Sequence, residues 1–152
     1  MSGLAYHAMH TATAYTNAAS VIFQLTTSAD TPISIEQVKL QSGVTSSAQA
    51  IVRVQFGTYA TGHAAGTTVT PAATQRRNTL AADTAVRIAS ATLGTTFTAL
   101  REFQWNIAMP FEEQYGWDDI KIEIPAATVF AIILPVASGT PTLSGGIDFV
   151  ER

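Results

Sequence analysis

Ala50 to Tyr59 reads AIVRVQFGTY. Val52, Val54 and Phe56 alternate with Arg53 and Gln55, and a period of two is what a strand shows when one face is buried and the other is wet. A helix would space its apolar residues three and four apart. The segment therefore predicts a β-strand at the wall of a core.

Working outward, the same pattern returns in short pieces. Upstream, SVIFQLTT (residues 20–27) sets Val21, Phe23 and Leu25 on one face, and ISIEQVKLQ (33–41) alternates from Ile33 and Ile35 to Val38 and Leu40. The change of phase predicts a β-bulge at Glu36 or Gln37, because one extra residue restores the inward face. Downstream, AVRIASAT (85–92) alternates Val86 and Ile88 around Arg87, which favours a strand over the helix that 81–90 could also form. TFTALREFQWNIA (96–108) places Phe103, Trp105 and Ile107 on one face; DIKIEIP (119–125) alternates Ile120, Ile122 and Ile124; TVFAIILPV (128–136) is apolar on both faces; TLSGGIDFVER (142–152) closes the chain.

About eight strands, separated by Gly, Pro, Ser and Thr turns and lacking a long amphipathic helix, predict an all-β antiparallel β-sandwich or jelly roll. Residues 19–152 are expected to form that single domain. Residues 1–18 (MSGLAYHAMHTATAYTNA) are nearly uncharged and rich in Ala and Thr, and read as an extended N-terminal arm. The Gly/Ala/Thr/Pro stretch 60–74 reads as a long loop, either mobile or an interaction element.

Composition narrows the function. Charged residues are 12% of the 152, about half the usual share, and hydrophobic ones 47%. So few charges imply an exterior partly covered by other subunits. A net charge of -3 with only two lysines supplies no basic stripe, so a nucleic-acid partner is not expected. The apolar run 129–136 contains Pro135 and is too short to span a bilayer, and no leader pattern opens the chain, so no membrane partner is expected. There is no cysteine to ligate a metal or attack a substrate.

The chemistry-bearing clusters are few. FEEQYGWDD (111–119) gathers four of the eleven carboxylates. Members of the adjacent pairs Glu112/Glu113 and Asp118/Asp119 point to opposite faces if extended, which argues against a catalytic pair. The reading is a corner in which Phe111, Tyr115 and Trp117 plug the end of the sandwich or a subunit contact while the acids keep it solvated. No calcium-loop spacing is present, His7 and His10 lack further ligands nearby and read as surface histidines, and neither a phosphate-binding glycine loop nor a nucleophile elbow occurs. No catalytic residue, metal or cofactor is expected. Arg76 and Arg77, the one adjacent basic pair, are candidates for contact with an acidic patch on a neighbouring protein.

Read as one string, LREFQWNIAMPFEEQYGWDDIKIEIPAATVFAIILPVASGTPTLSGGIDFVER (100–152) has an aromatic strand, an aromatic-Gly-Trp corner, a Pro-Ala turn, an apolar strand and a closing LSGGIDFVE. It resembles small jelly-roll virion proteins of tailed bacteriophages, the head decoration or cement proteins. The resemblance implies a homotrimer on the outer surface of the capsid, bridging neighbouring major capsid proteins and carrying no chemistry. On that expectation Tyr6 and Tyr15 in the arm and Tyr59 beside the long loop are the anchor candidates, and Trp105 and Trp117 belong to the core or a trimer seam. The alternative expectation is a carbohydrate- or receptor-binding jelly roll of a fibre or spike, with Tyr115 and Trp117 exposed beside Asp118 and Asp119. A hydrolytic enzyme on a β-sandwich ranks third.

Overall fold

A computed structural model describes residues 3–15, 19–43, 51–75, 79–90, 92–115, 121–135 and 142–152. Among these the regular elements are all strands: β1 (Leu4–Ala14), β2 (Ser20–Thr26), β3 (Ile33–Ser42), β4 (Ile51–Thr61), β5 (Thr67–Val69), β6 (Ala72–Ala73), β7 (Ala85–Ser90), β8 (Thr95–Asn106), β9 (Phe111–Gln114), β10 (Ile122–Ile124), β11 (Val129–Leu134) and β12 (Thr142–Glu151).

The pairing is nested. β1 lies antiparallel to β12, β2 to β11, β3 to both β9 and β10, and β4 to β8. The chain therefore folds as one long hairpin, and rolling that hairpin places its four pairs alternately in two sheets, which is the jelly roll. Sheet A has the order β10-β3-β12-β1-β6 with β9 also on β3, and sheet B the order β5-β7-β2-β11-β4-β8. Val52, Val54 and Phe56 face the space between them, as the alternation requires.

The predicted bulge is present: Asp148 and Phe149 of β12 are consecutive, while their partners Gln37 and Ile35 on β3 skip Glu36. Residues 85–90 form the strand β7, so the helix is excluded there. The β11 segment buries both faces. Phe130, Ile132 and Leu134 enter the main core, whereas Ala131 and Ile133 join Val21 and Tyr59 in a second cluster on the outer side of sheet B, packed against Phe97 and Val129.

Two expectations are corrected. Residues 4–14 are not an arm but β1, held between β12 and β6. Tyr6, Ala8 and His10 point inward and are buried, and His7 and Met9 point outward, a period of two that small and polar inward residues disguise. β12 takes up the backbone hydrogen bonds of one side along most of the strand, and β6 adds a short pairing at Tyr6 and His7 on the other. Residues 60–74 are likewise more than a loop. After β4 the chain crosses the outer side of sheet B, where Gln24 clamps His63 by donating to its carbonyl at 3.0 Å and accepting from its N–H at 3.2 Å, and Arg87 donates to the Ala64 carbonyl at 2.8 Å. Six residues extended from Thr61 to Thr67 reach roughly 20 Å, matching the ~19 Å of four strand spacings between β4 and β5. The segment then adds β5 to sheet B and β6 to sheet A, wrapping the open side of the sandwich.

Candidate functional site

The residues singled out by sequence that fall among the described ones do not assemble into a site. Tyr6 stacks on Phe149 at 5.7 Å and donates its hydroxyl toward the Leu80 and Ala81 carbonyls. Tyr15 lies on His10, Tyr59 against Phe97, and Tyr115 against Phe56 with the Arg101 guanidinium 5.3 Å from its ring centre. All four tyrosines are buried. They are therefore not surface anchors, because their rings pack against other aromatic side chains inside the fold. Burial of Tyr115 takes away one of the two rings, Tyr115 and Trp117, that the glycan-binding expectation needs exposed. Trp105 is core, its indole N–H satisfied by the Met109 carbonyl at 2.7 Å. Arg76, Arg77, Trp117, Asp118 and Asp119 lie outside the described residues.

The first half of the acidic corner is a strand rather than a loop. β9 pairs with β3, and Glu112 accepts from Gln37 at 2.6 Å and Gln114 at 2.8 Å while Lys39 stands 3.7 Å away. Glu112 is thereby a cross-strand tie on the sheet surface. Phe111 and Tyr115 plug the core, as the corner reading requires.

His10 is buried and not a surface histidine. Its Nδ1 lies 2.7 Å from the Thr11 carbonyl and must carry the proton, so Nε2 accepts from the Tyr15 hydroxyl. Burial holds the imidazole below its ordinary 6.5 and lifts the Tyr15 phenol above its ordinary 10.0, which keeps His10 neutral and Tyr15 protonated. The folded value is the depressed one, so the unfolded chain takes up the proton first as pH falls. The stabilisation is full above about 6.5 and is lost as pH falls below it toward the folded value. Burial lowers the His63 value as well and adds in the same direction. Denaturant midpoints measured between about pH 7.5 and 5.5 are expected to fall, and to fall less in His10→Gln. An equal fall in that variant would remove His10 from the account.

Two surfaces remain. The first is the edge of β8, at 12 residues the longest strand among the described residues, where it pairs with β4 alone. The strands at the other sheet edges, β5, β6, β9 and β10, have 3, 2, 4 and 3 residues, and short edges are how sheets avoid unwanted pairing. Exposed large apolar side chains are strung along β8: Leu93 before it, Leu100 within it at 51% exposure, Met109 after it, and Ile51 opposite Asn106. Leu100 is the extra residue of a bulge, since Phe56 and Gly57 pair with Arg101 and Ala99.

The second surface is a groove of about 330 Å³ on the outer side of sheet A. Its floor is Gly145 and Gly146 of β12, and its walls are His7 and Met9 on β1 and Gln37, Lys39 and Gln41 on β3. The His7 ring lies over Gly146, where a Cβ would come within 2.5 Å of its Cε1, and its Nδ1 meets Asp148 Oδ1 at 2.6 Å. Sequence reasoning missed this groove because it joins residues 7, 39 and 146, which only the pairing of β1, β12 and β3 brings together. Comparison with protein-family models, with curated proteins and with solved structures finds no match to this chain.

Proposed function

We propose that the protein is a structural component of a virion: a head decoration or cement protein that acts as a homotrimer on the outer surface of an assembled capsid and bridges major capsid subunits. The observation that carries the reading is the open edge of β8. A strand of that length, unpaired on one side among the described residues, carrying Leu100 and flanked by Leu93 and Met109, suits contact with another copy of the chain. The low charge of the chain leaves little repulsion to oppose association. The resemblance of residues 100–152 to phage decoration proteins points the same way.

On this reading no catalysis is involved. A protein that binds only the assembled shell shifts the shell away from disassembly by mass action. Three modest contacts on one rigid body act at high effective concentration. Light scattering is expected to give three times the 16.1 kDa protomer mass. Leu100→Lys, which adds charge at an exposed bulge, is expected to return the protein to monomers without altering its fold. A monomeric wild type would overturn the trimer, and a trimer indifferent to Leu100→Lys would move the contact away from β8.

A further inference from the structure

We infer that the groove over Gly145 and Gly146 is a carbohydrate subsite for a neutral, hexose-based glycan. The inference does not depend on the trimer, since the groove lies on the outer side of sheet A and β8 bounds sheet B.

The backbone excludes one class of ligand. β12 is an interior strand, and its main-chain donors and acceptors are engaged by β1 on one side and β3 on the other. An extended peptide could not add to it as a further strand, because that mode needs a free edge. Recognition there must come from side chains alone.

Charge excludes two more classes. Lys39 faces Glu112 at 3.7 Å, and Asp148 is occupied by His7 at 2.6 Å. The groove therefore offers neither an unanswered cation for a phosphate or sulfate nor a cluster of carboxylates for a metal, and no group of three His, Cys, Asp or Glu occurs among the described residues. A neutral ligand is what such a balanced surface accepts without an uncompensated charge.

The groups left over fit hydroxyls. Gln41 and Ser144 make no side-chain hydrogen bond among the described residues, and Asp148 uses only one oxygen. An amide, a hydroxyl and a carboxylate oxygen together donate and accept in the alternation that neighbouring sugar hydroxyls present. Met9, at 61% exposure, adds a soft apolar flank for the C–H face of a pyranose ring. A volume of about 330 Å³ is at the small end of ligand pockets, room for about one or two sugar rings. Strands rather than loops carry every wall, so the backbone positions of these groups are fixed before a ligand arrives.

The test is an NMR titration of the isotope-labelled protein with maltohexaose, cellohexaose and chitohexaose, with a heparin hexasaccharide as the anionic comparison. At least one neutral hexasaccharide is expected to shift the backbone amides of residues 7–9, 37–41 and 144–148 at millimolar concentration. The double substitution Gln41→Ala/Ser144→Ala, which removes two groups free of protein partners, is expected to weaken that binding by about tenfold. The inference is overturned if no neutral hexasaccharide shifts those amides, if the shifts lie elsewhere, if the heparin fragment binds more tightly, or if the double variant binds as well as the wild type.

Discussion

Replacing Phe56 by alanine is expected to lower the free energy of unfolding by about 3–5 kcal/mol, the cost of an emptied aromatic site in a packed core. Phe56 is fully buried, and its ring sits among four others: Phe103 at 5.2 Å, Phe111 at 6.2 Å, Phe130 at 6.3 Å and Tyr115 at 6.4 Å. Those rings come from β8, β9, β11 and the residue that follows β9, so one truncation loosens the contact between the two sheets. Guanidinium denaturation at fixed protein concentration, followed by the fluorescence of buried Trp105, measures it. Tyr115→Phe is the comparison: the Tyr115 hydroxyl is buried without a hydrogen-bond partner among the described residues, so removing it is expected to be neutral or stabilising. A loss below about 1 kcal/mol in Phe56→Ala would mean that the aromatic cluster does not hold the sandwich together.

Gly145→Ala is expected to cost about 3 kcal/mol, at the upper end for an inserted methyl group. A Cβ at Gly145 would overlap the Lys39 carbonyl oxygen, and that oxygen belongs to the backbone of β3 and cannot swing aside. Relief would require β12 and β3 to separate at their pairing of Gly145 with Leu40. Gly146→Ala provides the contrast, because its Cβ would first meet the His7 ring, a side chain that can rotate. It is expected to cost less than Gly145→Ala and to break the contact of His7 with Asp148. Denaturation of the two variants side by side checks the order, and the reverse order would show that β12 and β3 are not so closely apposed.

Much of the architecture could be read from residues 33–41, 51–59 and 96–108, where bulky inward side chains alternate with polar ones. The bulge at Glu36 was visible for the same reason, since a slip of one residue moves every later side chain to the other face. β1 was not visible. Its inward positions hold Ala8 and His10 beside Tyr6, and these register as a strand only when β12 lies along them. Stretch 60–74 has little alternation at all, and its crossing of sheet B rests on the Gln24 clamp, a contact between residues 39 positions apart.

The candidate surfaces divide in the same way. The open edge of β8 is implicit in a long Thr-rich strand with an exposed leucine, yet an edge is defined by the absence of a neighbour, which a sequence cannot display. Alternation and turn residues, which act over two to five positions, determined by themselves that this chain is an all-β sandwich. The nesting of β1 on β12, the burial of the tyrosines and the groove over Gly145 and Gly146 were decided only in three dimensions. Strand partners are selected by packing and backbone pairing between segments up to the full length of the chain apart, and no local pattern encodes that choice.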